Sequence, residues 1–291
     1  MALTIHTNYS SLLTQTNLNK TNNALAVNQQ RLGTGLRINS ASDDAAGLQI
    51  ATRLNAQTKG MAVAGRNVND ASSLLQTADG AFGEMTDILQ RMKDLATQSA
   101  NGTNSDDDRK AMQAEYDELG KELGNIMDNT SYAGEKLFGK DGTTGKFGTA
   151  VSFQIGATAA ETLTLDVTAQ SSALGTTLDG LSSNYTTSGT PGTEISTSGA
   201  ANAQIDVLSA ALKDVGELRG QFGANINRLA HTANNLANMK DNTEMARGRI
   251  MDADFASESA MMSKNSMLMQ SGISMLKQTG QMPGLVMSLL G

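Results

Sequence analysis

The 291-residue chain has no cysteine and no tryptophan, only two histidines and two prolines, and aromatic residues make up 3% of it. Without cysteine there are no disulfides and no thiolate metal ligands. So few aromatics are out of keeping with a compact enzyme of this length, whose core draws on large aromatic side chains. Abundant Ala, Leu, Asn and Gln, with 16 Met, point instead to long helices packed thinly. No run of 18 apolar residues is present, which excludes a membrane-spanning helix. The first 15 residues lack a charged segment followed by an apolar one, so they do not form a standard secretory signal. A net charge of −7 argues against nucleic acid as the main partner. That charge is uneven: residues 1–42 hold Lys20, Arg31 and Arg37 and no acid, and the acidic residues begin at Asp43.

What the chain does have is a seven-residue period. Leu54, Met61, Val68, Leu75, Phe82 and Leu89 fall on one register, followed three residues later by Ala64, Ala71, Ala78, Met85 and Met92 in most cases. This predicts a helix of a bundle or coiled coil, roughly 58 Å long over residues 54–92, with a stripe that only partner helices can bury. The partners are in the same chain. Asn104 or Ser105 can cap a helix opening on Asp106, Asp107 and Asp108 and carrying Met112, Tyr116, Leu119, Leu123 and Ile126. Leu208, Val215, Phe222, Leu229, Leu236 and Ile250 form another register, broken at Thr243. The fold class is mainly α: a long antiparallel helical bundle or coiled coil formed by both chain halves, with a small β-hairpin insert.

Both ends carry further stripes. Leu18, Leu25 and Leu32 repeat by seven; so do the pairs Met261/Met262, Leu268/Met269 and Met275/Leu276, with Phe255 in register and Leu289 and Leu290 near the end. Isolated amphipathic helices are marginal in water. The ends are therefore expected to be mobile in a free monomer and to order against each other and neighbouring copies, unless they fold back into one compact bundle. In between, Val151, Phe153 and Ile155, then Leu163, Leu165 and Val167, alternate as a hairpin would. About half of residues 168–198 are Ser or Thr, which predicts an exposed, weakly ordered or loosely strand-forming segment.

Chemistry-bearing patterns are scarce. His6 and His231 stand apart from any second ligand, and no HExxH or GxSxG occurs. Asp106, Asp107 and Asp108 lack EF-hand spacing and read as helix N-terminal acids. Gly33 and Gly35 lack the continuation of a nucleotide loop. They read as a weakening of the first helix, each costing about 1 kcal/mol relative to Ala. Ser40 or Ser42 is then expected to cap the next helix, with Asp43 and Asp44 in its first turn. Asn-x-Ser/Thr triplets at Asn8, Asn19, Asn129 and Asn184 read as chance; the Ser/Thr-rich insert is the better place for O-linked modification. No cofactor, metal or catalytic residue is expected.

The whole chain resembles bacterial flagellin. The resemblance rests on RLGTGLRINSA at 31–41 followed by DDAAG at 43–47, QRMKDLATQSAN at 90–101, YAGEKLF at 132–138, FQIGA at 153–157, ARGRIMDADFA at 246–256 and VMSLL at 286–290. It implies a structural subunit, not an enzyme, exported unfolded through the flagellar type III apparatus with an export chaperone and assembled beneath a cap. It also implies filament location, homopolymer contacts and adjoining junction proteins. The family's plan assigns 1–42 and 251–291 to an inner-tube helical domain, 43–138 and 201–250 to an outer-tube domain, and 139–200 to a surface insert. Only a short insert separates the halves, which resembles lateral-type flagellins that lack bulky outer domains. A hook–filament junction protein with flagellin-like ends is the alternative. A zinc-protease insert, known in some members, would need the HExxH that is missing. The resemblance further implies host flagellin receptors. Residues 30–51 look like the plant-receptor epitope, with Gly33, Leu36 and Ser42 departing from it. Arg91, Leu95 and Glu115 match toll-like-receptor positions, and Leu289 and Leu290 match the end sensed inside cells.

Overall fold

The computed structural model describes residues 8–186 and 191–290, the last nine of these as helix backbone alone. Its long helices are α1 (Tyr9–Thr34), α2 (Ala45–Ser99), α3 (Asp106–Asn129), α6 (Ser198–Met251) and α7 (Phe255–Leu290). Between α3 and α6 lie a two-residue hairpin, β1 (Ser131–Tyr132) with β2 (Glu135–Lys136), a 3-10 turn at Lys146–Gly148, and a second hairpin, β3 (Val151–Gln154) with β4 (Thr162–Leu165). Two short helices follow, α4 (Thr168–Asp179) and α5 (Ser183–Thr186). Contacts divide the chain into two compact units. One is Met1–Thr58 with Asp241–Gly291; the other is Lys59–Lys240. The two segments of the first unit are tied by bonds from residues 35–37 to residues 250–253.

The unit Lys59–Lys240 holds one continuous hydrophobic core from Met61 to Leu236. The heptad residues Met61, Val68, Leu75, Phe82 and Leu89 are buried, as are Leu208, Val215, Phe222, Leu229 and Leu236. Leu54, outside this unit, is half-buried. The offset positions Ala64, Ala71, Ala78, Met85 and Met92 are buried as well. At the centre lies a cluster of four of the chain's six phenylalanines. Phe82 of α2 sits 4.8 Å from Phe138 and 5.8 Å from Phe222 of α6; Phe147 sits 5.2 Å from both Phe138 and Phe222. Offset and tilted rings at these separations add to the gain from their burial.

Local chemistry explains the element ends. Ser105, not Asn104, caps α3: its Oγ accepts from the Asp108 N–H at 3.2 Å, and the Asp108 carboxylate accepts the Ser105 N–H at 3.0 Å. This reciprocal box satisfies two helix-end donors. Buried Arg109 braces the preceding turn, donating to the carbonyls of Ser99, Asn101 and Asn104. The β1–β2 turn uses φ of 52° at Ala133 and 87° at Gly134, the left-handed pair that a two-residue hairpin requires.

The expected hairpin is present, with Phe153 opposite Leu163 and Val151 opposite Leu165. The expectation for residues 168–198 is corrected. The segment forms α4 and α5 and buries Leu174, Leu178, Leu181, Tyr185 and Ile195. Its composition misleads because the hydroxyls return to the backbone: Thr176 and Thr177 donate to the carbonyls of Ser172 and Ala173 and leave the helix intact. Beyond α5 the chain is tied to α3, where Ile195 N–H donates to Gln113 Oε1 at 2.7 Å and Gly192 N–H to Asp117 Oδ2 at 2.9 Å. Residues 187–190 of that insert lie outside the described residues.

Truncating the cluster in Phe222→Ala should destabilise the Lys59–Lys240 unit by about 3–5 kcal/mol. Chemical unfolding followed by near-ultraviolet circular dichroism checks this; an unmoved transition would remove the ring cluster from its central role.

Candidate functional site

No group of three or more His, Cys, Asp or Glu side chains that could hold a metal occurs among the described residues. The feature that sets this chain apart is the pair of terminal helices. Along α1 the less exposed residues, Arg31 apart, are Ser11, Thr14, Leu18, Thr21, Leu25, Asn28 and Leu32; along the described side chains of α7, Ser259 apart, they are Glu258, Met262, Asn265, Met269, Gly272, Leu276 and Thr279. Both series alternate by three and four, the spacing of a coiled-coil seam. Leu18, Leu25 and Leu32 make one row of α1, and Met262, Met269 and Leu276 one row of α7. The second row on each helix is polar or small.

That second row holds a hydrogen-bonded cluster. The buried Asn28 amide donates to Glu258 Oε2 and accepts from Asn265 Nδ2 at 2.9 Å. Arg31 Nη1 pairs with Glu258 Oε1 at 2.9 Å. The Asn28 bond foremost, and Arg31 after it, hold the Glu258 carboxyl below its ordinary value of 4.5. Farther along, Gly272 lets Leu18 approach closely, since a Cβ there would lie 3.1 Å from Leu18 Cδ1. Near the start of α1, Asn8 Nδ2 donates to the Thr279 carbonyl at 2.8 Å. The two helices are thus paired along this seam within the chain.

The segment 30–51 forms the joint. Gly33 stays inside α1, and Gly35 ends it at φ 71° with its N–H on the Arg31 carbonyl. Leu36 and Asp252 then form an antiparallel bridge. Arg37 N–H reaches the Met251 carbonyl at 2.6 Å, and Ala253 N–H the Gly35 carbonyl at 2.9 Å. The expected cap of α2 is corrected. Asp44 accepts the Gly47 N–H and starts the helix at Ala45, while Asp43 closes the preceding turn by accepting the N–H groups of Asn39 and Ser40. Those two bonds lower the Asp43 pKa. The capping role falls to Asp44 because residues 41–43 are a turn, which leaves Ser40 and Ser42 too far upstream.

Outside the seam the terminal helices remain apolar. Tyr9, Leu12, Leu13 and Val27 are exposed on α1; Met261, Met267, Leu268, Ile273 and Met275 are exposed on α7. Phe255, expected in the seam register, is 61% exposed at the first turn of α7. The side chains of Leu289 and Leu290 lie outside those described, as does His6. In the other unit, Arg91 and Glu115 are exposed and paired across α2 and α3 at 2.7 Å, whereas Leu95 is 2% exposed and part of the core. Apolar periodicity does not reveal the polar row, although Asn28 stands three residues after Leu25, where the seven-residue template places its second row.

Ionised Glu258 favours the helix pair above its ordinary pKa of 4.5, and that contribution is lost as pH falls through the lower value it has in the folded chain. Protection factors of α1 and α7 amides should therefore drop below about pH 4.5. In Glu258→Gln they should be lower at neutral pH and change less on acidification. Equal acid responses in the two proteins would refute the assignment.

Residues 5–143 match the bacterial flagellin N-terminal helical region, and residues 205–290 the bacterial flagellin C-terminal helical region. The chain is 36% identical to Flagellin A of Vibrio anguillarum and 34% identical to Polar flagellin C of Vibrio parahaemolyticus, with all of each chain covered in both comparisons. The first alignment spans 384 positions against 291 residues here, so the surplus positions of that relative have no counterpart in this chain. Among solved structures, a protein of Vibrio parahaemolyticus described as flagellar hook-associated matches with a TM-score of 0.58 at 16% identity, over 72% of this chain and all of that one. At that identity the match speaks for the fold alone, and the junction-protein alternative is not favoured. With both end regions matched and full-length relatives above 30% identity, the chain belongs to the bacterial flagellin family and is a structural subunit of the flagellar filament.

Proposed function

We propose that the subunit polymerises through the unit formed by Met1–Thr58 and Asp241–Gly291, with the terminal helices making the principal contacts between copies. One observation carries this. Of the fourteen large hydrophobic residues exposed among those described, all but Val63 and Met239 belong to that unit. Exposed apolar surface on this scale marks an interaction site. The seam residues Leu18, Leu25, Leu32, Met262, Met269 and Leu276 shape the pair; Phe255 and the outward Leu and Met side chains meet neighbouring copies. Leu289 and Leu290 extend the same contact. A head-to-tail interface that does not close produces an open helical polymer. The segments 1–42 and 251–291 then supply the inner-tube helices, and the packed core of 43–138 and 201–250 the outer tube.

Before assembly the same apolar faces suit an export chaperone, and at the tip they suit the flagellar cap and junction proteins. Host receptors meet the subunit at Arg91 and Glu115, over the buried Leu95. The joint at 30–51 is available to a receptor on free subunits. The protein acts outside the cell without any catalytic role.

Purified subunits added to filament seeds test the reading. Leu12→Asp and Ile273→Asp alter side chains that are exposed in the single chain, so helix content should hold while elongation falls roughly a hundredfold, since each buries a charge in the polymer. Val63→Asp, in the other unit, should elongate normally. Chains lacking 1–40 or 252–291 should not elongate at all. Wild-type elongation by Leu12→Asp and Ile273→Asp would overturn the proposal.

A further inference from the structure

The methionines differ in exposure between the two units, with Met239, 39% exposed, the exception in the Lys59–Lys240 unit. Met61, Met85, Met92, Met112 and Met127 are buried in the core of one unit. Met245, Met261, Met267 and Met275 are at least half exposed in the other, Met267 at 68%. The last three are exposed on α7, where Met267 and Leu268 line an open trough with Ala260 and Lys264. A thioether is a flexible apolar group until it is oxidised, when it becomes a polar, chiral sulfoxide. We propose that Met245, Met261, Met267 and Met275 are oxidative modification sites that gate assembly: peroxide-class oxidants convert them in the free subunit and so block its addition to the filament.

The reaction is self-contained. The methionine sulfur attacks one oxygen of the peroxide, the O–O bond breaks and an S–O bond forms. Sulfur loses two electrons, and the other oxygen leaves as water, taking up the proton of the transferred hydroxyl. Access sets the order of reaction, so exposed thioethers react while core thioethers are shielded. A sulfoxide carried into an apolar contact needs a hydrogen-bond donor that neighbouring Leu, Ile and Met side chains do not provide. Once subunits have assembled, the same contacts cover the sulfur atoms, so the filament is resistant where the free subunit is sensitive. This inference rests on the assembly surface proposed above.

The test treats full-length subunits with graded hydrogen peroxide, maps sulfoxides by peptide mass spectrometry and measures seed elongation. Met245, Met261, Met267 and Met275 should oxidise well before Met61, Met85 and Met92, and elongation should fall about tenfold as they do. Methionine sulfoxide reductases should restore both readouts in the wild-type chain. Measured against its own untreated rate, the fourfold variant Met245→Leu, Met261→Leu, Met267→Leu and Met275→Leu should lose no elongation through the same dose. In assembled filaments the four sites should oxidise more slowly than in free subunits. Undiminished elongation by subunits oxidised at all four sites, or equal peroxide sensitivity in the fourfold variant, would overturn the inference. If that happens while Leu12→Asp and Ile273→Asp still block elongation, only the oxidation gate fails; if those variants elongate normally, the assembly surface fails with it.

Discussion

Two helices packed side by side can cover only one face of each. In the terminal unit that face is itself half polar. One row of the seam is Leu and Met, and the other is Thr, Asn, Glu and Gly. A polar residue within a helical seam fixes register at a cost in stability. The bonds among Asn28, Arg31, Glu258 and Asn265 fit that description, because a slide by one turn would separate all of them at once. The pair is thus specified more strongly than it is stabilised. The apolar surface that would make up the difference is exposed on the same unit, where the proposed contacts between copies lie.

The unit Lys59–Lys240 solves the opposite problem. Its helices bury their stripes within the chain, with alanine on the offset row of α2 admitting neighbours and four phenylalanines filling the centre. The segment after β4 contributes buried side chains and is tied down through Gln113 and Asp117. Little of this unit's large apolar surface is left exposed. One chain therefore combines a saturated core with an unsaturated end.

The long helices were legible because a seven-residue period sustained over several turns keeps one face of a helix apolar, whereas a strand would turn every second such residue to its other face. The hairpin was legible from alternation, and the ends from their Leu and Met stripes. Residues 168–198 were not, since Ser and Thr favour loops in general but tolerate a helix when their hydroxyls bond back to it. The Asn28–Glu258 cluster escaped because a search for apolar periodicity passes over a polar row, and its members are 230 residues apart. The start of α2 escaped by a few residues, as two acids and two serines offered competing caps and only the turn at 41–43 decided between them.

The joint at Gly35 binds the beginning of the chain to its far end. Leu36 meets Asp252, and Asn8 reaches Thr279 across 271 positions. Contacts this remote close the largest loops available, and that closure entropy must be met before any of them contributes. Pairing α1 with α7 therefore needs both segments of the terminal unit in one chain. A chain interrupted before Phe255 still carries the sequence of the Lys59–Lys240 core but leaves α1 with nothing to pair against. A complete seam thus carries the record of both ends of the chain.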